Sequence, residues 1–164
     1  MNRKLFIDII KDIEKAPTKF DIESWEDKQS PCGTTHCIAG KALVMHGFIF
    51  KETRRKSQFM APWGVTYSTN AQVVDWAARM LDVPARKAEM LFYYDNWDED
   101  LREKHENLSE QLRELKDAFK EAPSQRKKRV VFKQIKALRE KLAKVAIAQT
   151  RRKMKEWRDV GYEN

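Results

Sequence analysis

The stretches LSEQLRELKDAF (108–119) and VVFKQIKALREKLAKV (130–145) decide how this chain folds. Leu108, Leu112, Leu115 and Phe119 are spaced 4, 3, 4, and Val131, Ile135, Leu138, Leu142 and Val145 are spaced 4, 3, 4, 3. These are narrow a/d seams, the pattern of an antiparallel coiled-coil hairpin. The spacing predicts helices over 98–121 and 123–159, joined at Glu121-Ala122-Pro123. At 1.5 Å per residue the second would run about 55 Å, longer than a small domain is wide, so the hairpin should project. The wider apolar set further on (Ala146, Ile147, Met154, Trp157) predicts that the end of this helix returns to pack on the rest of the chain.

Charge separates the same two parts. Residues 1–100 hold 14 Lys/Arg and 15 Asp/Glu, a net of −1, whereas residues 101–164 hold 19 and 10, a net of +9. The whole chain has 164 residues, 41% hydrophobic and 35% charged, with five Gly and five Pro. That balance indicates a soluble, helix-rich protein and argues against a β-sandwich or a disordered chain. No run approaches the ~18 apolar residues a membrane span needs. The opening MNRKLFIDIIKDIEK is interrupted by Asp8, Lys11 and Asp12, so it reads as an amphipathic helix and not as a secretion signal. Two cysteines without such a signal point to a reducing, cytoplasmic setting.

Upstream of the hairpin, Leu5, Phe6, Ile9, Ile10 and Ile13 form a helical stripe that ends before Pro17. FDIESWE (20–26) alternates and reads as a short strand or an extended connector. A helix is predicted from about Thr35 to His46, stopped by Gly47 at C′. Residues 48–69 mix β-branched and aromatic residues with Pro62 and Gly64, which suits either a β-hairpin or an ordered loop. Asn70 is placed as the N-cap of a helix burying Val73, Val74, Ala77, Ala78 and Leu81. Pro84 opens a helix with Ala88, Leu91 and Phe92 inward, and Asp95 or Asn96 caps the first hairpin helix. The fold class is therefore mostly α: a helical head over 1–100 and a basic hairpin arm over 101–164.

CGTTHCIAGKAL (32–43) is the one segment with a chemical reading. Cys32 before a helix N-terminus and His36 about one turn on would suit a nucleophilic thiol. The structural reading, in which Cys37, Ile38, Ala42, Leu43 and Met45 bury a helix face, is preferred. Metal binding by Cys32, His36, Cys37 and His46 is disfavoured, because adjacent helical residues diverge by about 100° and no second ligand pair completes a tetrahedron. No metal or cofactor is expected.

CGTTHCIAGKAL, AARMLDVPARKAEMLF and NWDEDLREKH together resemble small uncharacterised proteins of bacteriophages and bacteria that carry a C-G-T-x-x-C-I-A-G segment. The likeness covers roughly 30–105 and resumes weakly at 144–157. The family has no assigned activity, so the resemblance implies none. His36 stands where those relatives have a small residue, and residues of about 108–143 look like an inserted hairpin.

The arm supplies the binding candidates. Arg126, Lys127, Lys128 and Arg129 follow the turn, Lys133 and Lys136 continue with Lys141 and Lys144, and Arg151, Arg152, Lys153, Lys155 and Arg158 cluster near the end. Helix-dipole complementarity and a solvated outer face explain part of this excess. The remainder points to non-enzymatic binding of nucleic acid, or of a protein that handles it, by charge and shape. The alternative is a phage-type inhibitor or adaptor whose arm engages an acidic host protein or a second copy of the chain. A thiol enzyme built on Cys32 and His36 ranks third. Residues 77–92 also score as a helix-turn-helix, but only Arg86 and Lys87 offer contacts, so ordinary helix packing is preferred.

Overall fold

A computed structural model describes residues 1–20, 37–52, 57–67 and 69–161. α1 (Arg3–Lys15) starts where Asn2 Oδ1 accepts from the Leu5 amide, and it buries Leu5, Phe6, Ile9, Ile10 and Ile13. A 3-10 turn at Pro17–Lys19 ends this segment, with Phe20 buried behind it. The expected strand or connector at 20–26 otherwise lies outside the described residues.

α2 (Ile38–Met45) begins later than the expected start near Thr35. Cys37 is extended, and its Sγ accepts from the Gly40 amide at 3.4 Å, so this thiol caps the helix. Gly47 then turns the chain with φ +79°. Between Gly47 and Thr69 the chain forms a small antiparallel sheet of β1 (Ile49–Glu52), β2 (Ser57–Met60) and β3 (Thr66–Tyr67), in that order. The β1–β2 hairpin pairs Ile49 with Met60, and the rings of Phe50 and Phe59 meet at 5.3 Å on its buried face.

α3 (Asn70–Leu81) is capped by Thr69, where Asn70 was expected to serve. Gln72 decides between them: its amide donates to Thr69 Oγ1, and its side-chain oxygen accepts from the Thr69 amide, each at 3.3 Å. This reciprocal box satisfies two of the helix's orphan donors. α4 (Ala85–Phe92) follows Pro84 and buries Ala88, Leu91 and Phe92. A 3-10 turn at Tyr94–Asn96 leads to α5 (Glu99–Glu121), whose N-cap position is held by Asp98, without a side-chain cap bond, and not by Asp95 or Asn96. α6 (Gln125–Asp159) has 35 residues and begins where Ser124 Oγ accepts from the Lys127 amide.

The protein is thus mostly helical with a small antiparallel sheet. Among the described residues no helix is long and apolar enough to cross a membrane. α6 takes part in two apolar clusters. Its first half closes a seam with α5, in which Leu112, Ile135, Leu138 and Leu142 are buried and Leu108, Leu115, Phe119 and Val131 flank them. Its second half contributes Ala143, Ala146, Ile147 and Trp157 to the large core shared with α1 to α4. Phe6 and Trp157 meet edge to face at 6.1 Å, which seats the end of α6 on α1.

Candidate nucleic-acid interface

Helical periodicity sorts the cations of α6 into two groups. At 100° per residue, Arg126, Arg129, Lys133, Lys141, Lys144, Arg151, Lys155 and Arg158 fall within an arc of about 120°. All eight are exposed, and the arc lies opposite the buried Ile135, Leu142, Ala146 and Trp157. Glu140 interrupts this stripe and Asp159 bounds it. From Arg126 to Arg158 it is about 48 Å long. α6 as a whole has 14 Lys/Arg against 3 Asp/Glu, a net of +11, while α5 has 5 against 8, a net of −3.

Ion pairing divides the cations further. Arg151 pairs with Glu14 of α1 at 2.6 Å, and Arg158 with its neighbour Asp159 at 3.3 Å. Arg126, Arg129, Lys133, Lys141, Lys144 and Lys155 form no ion pair among the described residues. Their side chains face solvent.

Arg152 was a binding candidate, but the structure turns it away from the stripe. Its guanidinium clamps Asp100 with two bonds of 2.8 and 3.1 Å and reaches Asp98 at 3.0 Å. Hydrogen bonds to Asp100 and then Asp98 hold this guanidinium more firmly protonated than usual. Lys153 is buried beside it and donates to Asp98 at 2.8 Å and to Glu156. Burial opposes the Lys153 ammonium, but the bonds to Asp98 and Glu156 more than offset it and raise its pKa. Burial likewise pushes the Asp98 carboxyl up, and Lys153 and Arg152 outweigh this, leaving it below its ordinary value. These two cations therefore staple α6 to the start of α5.

At the tip of the arm, Lys127 is exposed on the flank of the stripe. Lys128 leans inward, its Nζ 5.8 Å from the Phe119 ring centre, and Lys136 lies 5.1 Å from that of Phe132. Each ammonium group thus lies within cation–π range of an aromatic ring of the arm.

The thiol candidates Cys32 and His36 lie outside the described residues. Cys37 is buried as the α2 cap, and His46 Nδ1 donates to the Ala42 carbonyl at 2.9 Å. Among the described residues no cluster of three His, Cys, Asp or Glu side chains could hold a metal ion. Of the two helix-turn-helix contacts, Lys87 rests over the Trp157 ring at 5.9 Å.

His105 was not singled out from the sequence, although Leu101, His105, Leu108 and Leu112 continue the 4, 3, 4 spacing. It is buried against Trp97, with ring centres 5.2 Å apart, and its Nε2 lies 3.4 Å from Ser109 Oγ. Burial lowers its pKa to about 4, with the Asp95 carboxylate offsetting part of the effect.

The chain matches no family model, no curated protein and no solved structure.

Proposed function

We propose that this protein is a non-enzymatic binding protein that grips the phosphate backbone of a nucleic acid with the outer face of α6. The observation that carries the reading is the stripe of eight exposed cations, six of them without an ion-pair partner among the described residues. Clustered Lys/Arg bind phosphates largely by releasing counterions, which requires charge density along a surface and no base-reading pocket. A stripe of about 48 Å would span roughly 14 base pairs of a duplex measured along its axis, meeting phosphates where the backbone crosses it. Because the stripe has no aromatic or amide side chains among its cations, binding should follow charge and shape, with little sequence preference. The likeness of residues 30–105 to phage and bacterial proteins would set this surface in a bacterial cytoplasm.

A mobility-shift series over salt tests the reading. Six engaged cations give a slope of log K against log salt of about −5, or roughly a thousandfold loss of affinity between 50 and 200 mM. The variant K133A/K141A/K144A should reduce the slope by about 3 with an unchanged melting temperature. Absence of binding at 50 mM salt would refute the proposal. A pull-down from lysate with and without nuclease reports on the alternative: capture of an acidic protein that survives nuclease would replace nucleic acid as the partner.

A further inference from the structure

α1 and the last turns of α6 enclose a groove of about 380 Å³. Its wall on α1 runs from Arg3 to Glu14, three turns or about 16 Å, so it is long and narrow. Ile7, Ile10 and Met154 supply an apolar floor, with Ile7 36% exposed on an otherwise charged surface. Lys11 and Lys155 stand on the rim from opposite helices, and neither forms an ion pair among the described residues. The one acid of the lining, Glu14, is already neutralised by Arg151.

We infer that this groove is a docking site for an acidic amphipathic helix of a partner protein. The charge on the rim calls for an anionic ligand. The floor separates a peptide from a phosphate backbone: phosphates would leave Ile7 and Met154 wet, whereas leucines at i, i+3 and i+7 would cover them. Met154 is unbranched and pliant, which suits it to packing against an inserted side chain. Lys155 belongs to both this groove and the stripe, so peptide and nucleic acid would compete for that end of α6. The inference does not depend on the nucleic-acid reading, because its test contains no nucleic acid.

The probe is a fluorescently labelled 14-residue peptide with Leu at helical i, i+3, i+7 and i+10 and Glu at most other positions. It is titrated with the full chain at moderate salt and followed by anisotropy. The expected result is saturable binding that weakens at least tenfold in Ile7→Ser and in K11E/K155E, with circular-dichroism melts unchanged because these side chains are exposed. A control peptide with Lys in place of Glu should not bind, and one with Ser in place of Leu should bind at least tenfold more weakly. No binding at 100 μM protein would overturn the inference. So would equal affinity for the Leu-free peptide, or equal affinity in the Ile7→Ser and K11E/K155E variants.

Discussion

His105 should make this fold sensitive to mild acid. It is 1% exposed between Trp97 and the start of the arm, and its pKa falls from the ordinary 6.5 to about 4 because burial disfavours the imidazolium. As pH drops, the unfolded chain takes up the proton first, near 6.5, while the folded ring stays neutral until about 4. Stability is therefore complete above about pH 7.5 and declines on acidification through this window. The full difference is worth about 3.4 kcal/mol at 1.36 kcal/mol per pH unit. Near pH 5.5 about 1.4 kcal/mol should be lost, and near pH 4.5 about 2.6 kcal/mol. Urea denaturation at pH 7.5, 6.5 and 5.5 measures this before the carboxylates of Asp98 and Asp100 titrate, since both are held below their ordinary values. Leucine fills a similar volume, so H105L should keep the packing and lose the slope, whatever its stability at pH 7.5. A wild-type midpoint that does not move between pH 7.5 and 5.5 would refute the reasoning, as would an H105L variant that loses as much as the wild type.

Ile135→Ala, at the fully buried centre of the arm seam, should cost about 3 kcal/mol in urea denaturation; a cost under about 1 kcal/mol would mean the seam collapses around the cavity. Asp98→Asn should lower stability by roughly 1–3 kcal/mol, because it leaves the buried Lys153 ammonium short of its main partner. Arg151→Ala, which breaks a pair exposed on both sides, should move the melting temperature far less, and the reverse order would contradict the staple. Thr69→Ala should cost about 1 kcal/mol by removing the α3 cap, as read in urea denaturation.

The arm was legible because its information is local. A seam needs apolar residues at 3- and 4-residue spacing, and Leu108 to Phe119 and Val131 to Val145 supply it without help from the rest of the chain. Helix starts were less legible. Thr69 and Asn70 both favour caps, and the deciding signal was Gln72, three residues after Thr69. A thiol is not a preferred cap, so nothing local places the start of α2 at Cys37. The sheet was open because Phe48 and Tyr67 set their rings against Trp76 of α3, a contact that no period of 2 or 3.6 encodes. Among the cations, counting charge alone grouped Arg152 with Arg151 and Lys155. Helical phase separates them, but the reason Arg152 points elsewhere is the pair Asp98 and Asp100, more than fifty residues earlier.

Because α6 both closes the arm and completes the head, this protein cannot mature from its beginning to its end. Phe6 leaves the ribosome 151 residues ahead of its partner Trp157. Until then the faces of α1 to α4 that await Ala143, Ala146 and Ile147 remain open. The arm, built from neighbours in sequence, can zip early and carry α6 toward the waiting head. Synthesis thus leaves a period in which apolar surface is uncovered, and a chain stopped at Glu121 would remain in that state.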